Sequence, residues 1–169
     1  MMVNVQIHHL MMNNLKRNKI MKKLFLLLFL FVSCEVPQYK VIKFEQLPIP
    51  VELLNIKEAQ MIILINEHRT NMGLPAYKTS LSLYYIAKEN CVRMAGENNC
   101  NHNWFESRYI ESKALLLGEG VSYNYKSAQS NVQAYINSTA HRDLVESSLY
   151  EYFAVADVDD WNCILMAKY

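Results

Sequence analysis

The positions of the prolines limit most clearly how this chain can fold. All four prolines of the 169-residue sequence lie at or before Pro75, so the rest of the chain is free of this helix-breaking residue. Three of them fall within residues 35–56, where no helical period is sustained, and this segment is predicted to be an extended tether. Residues 57–169 are predicted to form one domain, because their number suits a single hydrophobic core.

Apolar residues recur at helical spacing in two long segments after the tether. In the segment 57–71 they form a broad apolar face, and a glycine and a proline follow as a stop signal. In the segment 80–95 the apolar residues are spaced as on one face of a helix, with Thr79 or Ser80 as the N-cap. The elements expected next are a loop at 98–106, a helix beginning at Ser127 and a short helical turn at 141–145.

The C-terminus has a different residue pattern, typical of strands. Residues 150–156 and 161–167 are rich in aromatic and β-branched side chains, and an acidic segment separates them. This pattern predicts an antiparallel hairpin. Helices followed by late strands indicate an α+β fold rather than a repeat of βαβ units.

Residues 1–34 carry the features of a secretory signal. Two lysines precede nine apolar residues, 24–32, and a small residue follows. A helix of that length rises only about 14 Å, whereas the bilayer core is about 30 Å thick. The segment is therefore predicted to direct export rather than to span a membrane. We interpret residues 1–20 as an over-long start upstream of Met21.

The end of the signal resembles a bacterial lipobox, in which the cysteine becomes the lipid-modified N-terminus. The residues are Phe31-Val32-Ser33-Cys34, with Phe31 in place of the usual Leu. Lipidation at Cys34 would make this an exported, membrane-anchored lipoprotein of the cell envelope. The alternative is an ordinary secretory signal, with Cys34 incidental and the protein secreted.

The charge distribution argues against a nucleic acid partner. The net charge of the chain is +1, but residues 1–34 hold five basic residues and no acidic one. Removing them leaves 12 basic and 16 acidic residues and a net charge of −4. The exported part therefore lacks the basic field that nucleic acid binding requires.

Three cysteines, Cys91, Cys100 and Cys163, remain if Cys34 carries lipid. Cys91 and Cys100 lie closest in sequence and could close a short loop, but free thiols are an equal alternative for each cysteine. A thiolate zinc site has no support, since the sequence contains no CxxC motif.

Two histidines and one glutamate are the candidates for chemistry. His102 falls in the predicted loop, His141 at a helix junction, and Glu119 between Gly118 and Gly120. Glycine on both sides of an acid permits unusual backbone dihedrals or close approach to another group. Imidazoles and a carboxylate can act as metal ligands or as acid and base.

The order of these motifs resembles the CAP superfamily (cysteine-rich secretory proteins, antigen 5 and pathogenesis-related 1) in its short bacterial SCP-like form. The similarity runs from about residue 60 to residue 169. Gly118-Glu119-Gly120 is similar to the family's G-E-N motif, with Gly120 replacing Asn. The other matching segments are Leu64–Arg69, Gly73-Leu74-Pro75, Leu83, Ala87, Met94, His102, Ser127, Val132, and Ser138 with His141-Arg142.

The resemblance implies a three-layer α-β-α sandwich with a C-terminal antiparallel hairpin and a surface cleft. Cleft residues in the family are two histidines and two acids, and some members bind zinc through the histidines. Carried over, the cleft contains His102, Glu119 and His141, while Ser138 stands near the place of the second acid. Tyr135 stands near the place of a family tryptophan.

The resemblance does not supply a reaction, so several roles stay open. The leading hypothesis is a binding or interaction module that presents the cleft to an envelope lipid, peptide or glycan. The alternative is a metal-assisted hydrolase, with Zn²⁺ on His102 and His141 and Glu119 as the catalytic general base. A thiol hydrolase using Cys91 or Cys100 is a weaker candidate, and a purely structural His–Glu cluster is a further one.

Some remaining polar and aromatic residues have competing interpretations. Asn66 and Arg69 are predicted to stabilise the fold, and His68 beside them to have no ligand. The aromatic residues could line a groove for an apolar ligand or a glycan, although packing is the simpler expectation. They are Trp104, Tyr123, Tyr125 and Trp161.

Overall fold

The computed structural model describes residues 46–169, which include the whole of the predicted domain. The leader, Cys34 and the first part of the predicted tether lie outside the described residues. After a short 3₁₀ turn at Val51–Leu53, the elements are α1 (Ile56–Asn71), β1 (Lys78–Thr79), α2 (Leu81–Glu97), α3 (Phe105–Ser112), β2 (Leu116–Tyr123), α4 (Ala128–Asn137), α5 (Thr139–Val145), β3 (Tyr152–Val158) and β4 (Trp161–Lys168).

The predicted hairpin is confirmed and forms the centre of a four-stranded sheet. The strand order is β1-β3-β4-β2; β1 is parallel to β3, and the other neighbours are antiparallel. Asp159 and Asp160 connect β3 to β4 with φ of 48° and 65°. Positive φ at both residues is the type I′ geometry that matches the strand twist of a two-residue hairpin.

Helices cover both faces of the sheet, which confirms the α-β-α layering. On one face, α2 packs through residues such as Leu83 and Met94 against Cys163 and Leu165. On the other, α1, α4 and α5 pack against the alternate β4 residues, Ile164 and others. Because successive residues of a strand face opposite ways, β4 contributes to two separate cores. Within the described residues, no helix is long and apolar enough to span a membrane.

The predicted roles of Asn66 and Arg69 are confirmed. The Asn66 side chain donates to the Tyr77 carbonyl at 3.1 Å and accepts from its N–H at 2.8 Å. Arg69 is buried, stacks on the Tyr77 ring at 3.4 Å and donates to the Val145 carbonyl at 2.6 Å. His68 pairs with Glu146 at 2.9 Å. These contacts tie the end of α1 to the segment before β1 and to the end of α5.

Two elements differ from the expectations. Where a loop was predicted at 98–106, the chain enters α3 at Phe105, and Gly118-Glu119-Gly120 lies in the middle of a strand, β2. The helix α3 has only eight residues and no N-cap side-chain bond, so its local signals are weak. The strand β2 is interrupted by two glycines, which weaken a strand pattern in the sequence.

The structure contains free thiols at Cys91, Cys100 and Cys163. Cys91 is buried on α2 and bonds the Ala156 carbonyl of β3 at 3.4 Å, while Cys100 is exposed after that helix. The short Cys91–Cys100 loop is therefore not formed, because helix packing directs Cys91 into the core.

Candidate functional site

Glu119 projects from β2, an edge strand, toward the layer that contains α2 and α3. Its partner in the sheet is Leu165, which belongs to the core on that side. The flanking glycines face the opposite layer, where a Cβ on Gly120 would lie 3.1 Å from His141 Cδ2 and one on Gly118 2.7 Å from Leu144 Cδ2. The two glycines therefore allow α5 to approach β2 closely, and neither has a positive φ.

The Glu119 carboxylate is buried and has a partner on each oxygen. Arg108 donates from Nε to Oε2 at 2.6 Å and from Nη2 to Oε1 at 2.8 Å, which is a bidentate pair. His102 Nδ1 lies 2.8 Å from Oε1, and Asn90 Nδ2 lies 3.3 Å from Oε2. A carboxylate only accepts, so His102 carries its proton on Nδ1 and turns Nε2 outward.

Arg108 is the site residue that the sequence analysis missed. It lies in α3, is almost fully buried and also donates from Nη1 to the Asn103 carbonyl at 2.8 Å. The available signal was indirect: a buried acid requires a cation or several donors, and no partner was assigned to Glu119. The pairing of Arg108 with Glu119 depends on the position of α3, which places this arginine against β2.

His141 lies against the other face of β2, at the start of α5. Its ring meets the Tyr135 ring edge-on, with centroids 5.0 Å apart. Burial, and then the charge of His102, lower the pKa of His141 below 6.5, so its imidazole is neutral at neutral pH. The two histidines therefore approach the edge of the sheet from its two sides, and only His102 contacts Glu119.

Ser138 and Tyr135 sit close to this edge but have different roles. Tyr135 is fully buried, and its hydroxyl donates to Asn162 Oδ1 at 2.7 Å. Ser138 separates α4 from α5 and lines a shallow groove along α4 with Tyr125 and Gln133. Ser138 has no described bond to the Glu119 carboxylate, so it does not replace an acid there.

The donor set does not suit a zinc ion. Among residues 46–169, no group of three or more His, Cys, Asp or Glu side chains is arranged to hold a metal ion. The charge of Arg108 beside Glu119 would repel a cation, and the carboxylate oxygens already accept hydrogen bonds. His102 and His141 reach the strand from opposite sides.

Cys91 and Cys100 also lack the features of nucleophiles. Burial, with the charge of Glu119 as a second cause, raises the pKa of the Cys100 thiol. Burial raises the pKa of Cys91 well above its usual value. Thiol chemistry needs a thiolate, which both environments disfavour.

The family expected from the motifs is confirmed. A model of the cysteine-rich secretory protein family, CAP, matches residues 62–166, and the chain therefore belongs to this family. No curated protein sequence gave a significant match.

Solved structures of bacterial proteins share the fold. An extracellular protein with an SCP domain from Bacillus anthracis superposes with a TM-score of 0.65 at 18% identity, covering 72% of this chain and 45% of that one. A cysteine-rich secretory protein from Staphylococcus aureus gives a TM-score of 0.63 at 18% identity, covering 71% and 40%. An outer surface protein from Borrelia burgdorferi gives 0.59 at 19% identity, covering 68% and 96%. The chain thus spans less than half the length of the first two proteins.

Proposed function

We propose that this protein is an exported, lipid-anchored envelope protein whose domain binds an envelope ligand at the edge of the sheet. The binding cleft is the surface at β2 that His102 and His141 flank. The observation that carries the proposal is the state of Glu119: Arg108 and His102 occupy both carboxylate oxygens. A carboxylate held in this way orients His102 and is not available to activate water.

The cleft presents hydrogen-bonding groups rather than a catalytic arrangement. More than half of the His102 side chain is exposed, at 55%, and its Nε2 is directed away from Glu119. His141 has a lowered pKa and is neutral at neutral pH. Imidazole nitrogens accept or donate hydrogen bonds, which favours recognition of a polar part of an envelope lipid, peptide or glycan.

Export is supported by the leader and by the similar structures, and anchoring is supported by the lipobox. The signal features of residues 1–34 and the lipobox at Cys34 predict export with a lipid at Cys34. One of the similar structures is that of an extracellular protein and another is that of an outer surface protein.

The anchor is tested by fractionation of cells that express the full chain or its Cys34→Ser variant. The wild type is expected in the membrane fraction and Cys34→Ser in the soluble exported fraction. Cys100→Ser is the matched control and should stay with the membrane, because Cys100 belongs to the folded domain. Membrane association of Cys34→Ser equal to that of the wild type would contradict the anchor.

The cleft is tested by co-sedimentation of the soluble Cys34→Ser protein with bacterial envelope fragments. The variant His102→Ala/His141→Ala is expected to lose binding at least about tenfold, while His68→Ala, whose histidine pairs with Glu146 and not with Glu119, should bind normally. Circular dichroism establishes that each variant is folded. Equal binding by the double variant would refute the cleft. Stoichiometric zinc that disappears in the double variant would support the hydrolase instead.

A further inference from the structure

A second cleft lies between α2 and α3 and does not include His102 or His141. Its volume is about 310 Å³, which lies at the small end of the range for ligand sites. Trp104 lines the cleft together with six residues that have polar or charged side chains. Those that matter for recognition are Arg93, Arg108, Ser107, Glu89 and Glu111.

Trp104 is exposed, so packing in the core does not account for its position. Two thirds of this residue, 66%, is accessible to solvent, and its backbone has a φ of 64°. A positive φ is strained for a bulky residue, and such strain concentrates at functional sites. By contrast, Trp161 is buried and stacks on Tyr123 with ring centroids 3.8 Å apart, so that aromatic pair belongs to the packing.

The hydrogen-bonding groups of the wall are fixed before any ligand arrives. Arg93 donates from Nη2 to Asn90 Oδ1 at 2.7 Å, and its Nη1 pairs with Glu97 at 2.5 Å. Arg108 is held by Glu119 and Asn103 through three of its five N–H groups. Guanidinium edges fixed in this way lose little entropy when a ligand accepts from them.

The charges around the wall indicate the class of ligand. Arg93 pairs with Glu97 and Arg108 with Glu119, so both guanidinium charges are already paired, and Glu89 and Glu111 leave the wall with an acidic balance that disfavours an anionic ligand. A ligand that fits has a flat C–H face for an indole ring and hydroxyl groups for both guanidinium and carboxylate partners.

We propose that the cleft between α2 and α3 binds a neutral saccharide, with one sugar ring stacked on Trp104. Hydroxyl groups accept from Arg93 and Arg108 and donate to Glu89 and Glu111. The volume accommodates a short segment of one or two rings. This site lies beside the His102–His141 cleft and shares Arg108 with it, because Arg108 also holds Glu119.

Tryptophan fluorescence tests this proposal directly, because the chain contains only two tryptophans and Trp161 is buried. The full-length Cys34→Ser protein is titrated with three neutral trisaccharides: maltotriose, cellotriose and the trimer of N-acetylglucosamine. We expect at least one to produce a saturable change in emission at concentrations up to about 10 mM. Calorimetry on the same sample should give the same dissociation constant.

Variants decide whether Trp104 is the platform. Trp104→Ala should weaken binding, measured by calorimetry, at least about tenfold, and Trp104→Phe should weaken it less because a ring remains. Leu149→Ala, which removes another exposed apolar side chain at 61% exposure, should bind like the wild type. Absence of saturable binding for all three saccharides, or equal binding by Trp104→Ala, would overturn the proposal.

Discussion

Replacing Arg108 by Met tests the reasoning that Glu119 is held by an internal cation. The Arg108 and Glu119 side chains are 7% and 1% exposed, and their two hydrogen bonds measure 2.6 and 2.8 Å. Methionine fills a similar volume but leaves the carboxylate with only His102 and the longer 3.3 Å contact to Asn90. The variant therefore contains a buried charge without its cation.

Breaking a buried ion pair by removing one partner costs about 3–5 kcal/mol of unfolding free energy. That is a large part of the total stability of a domain of this size, typically about 5–15 kcal/mol. Removing the second charge as well, in Arg108→Met/Glu119→Leu, should restore most of the loss, since an apolar pair leaves no unpaired charge. The coupling between the two substitutions is then the measured quantity.

Urea unfolding monitored by circular dichroism, on the soluble Cys34→Ser protein, provides these free energies. Lys126→Met is the matched control, because Lys126 is exposed and pairs with Asp160 at the surface. This control variant should show no measurable change in unfolding free energy. If the unfolding free energy of Arg108→Met stays within about 1 kcal/mol of the wild-type value, as expected for a surface ion pair, the buried-pair reasoning is refuted.

Three further measurements test other parts of the structure. Burial lowers the pKa of His141, so the unfolded chain binds more protons than the folded one, and the unfolding free energy should fall as the pH drops below 6.5. The variant His141→Gln should reduce this fall. An unchanged dependence of the unfolding free energy on pH in that variant would contradict the reasoning. Gly120→Ala should lower the unfolding free energy by about 1–3 kcal/mol through overpacking, because its Cβ would lie 2.9 Å from an isoleucine carbon. A stability equal to that of the wild type would refute the close approach. In Cys34→Ser protein, a disulfide reagent should label only Cys100 before unfolding and Cys91 and Cys163 afterward, as mass spectrometry can check.

The long helices and the hairpin were predictable because local pattern and tertiary environment agree. The helix α2 begins after Ser80, which accepts from Leu83 N at 3.3 Å as an N-cap, and its apolar face meets the sheet as the spacing indicated. The hairpin strands have the aromatic and β-branched composition of buried strands. Where the local signal was weak, at α3 and β2, the elements were missed.

The candidate site divides in the same way. Residue type and order were enough to select His102, Glu119 and His141 and to indicate the family. They could not show that Glu119 and His141 face opposite sides of β2, because the direction of a strand side chain depends on the register of the sheet.

The sequence by itself determined the class of fold, the order of its main elements, the family and the predicted export signal, because these depend on periodicity, composition and short motifs. Only the tertiary structure decided what the site can do. Arg108 reaches Glu119 across 11 positions of sequence, through a short helix with little local signal. Pairing of a buried charge depends on distance in space, and that distance exists only once the helix α3 packs against the strand β2.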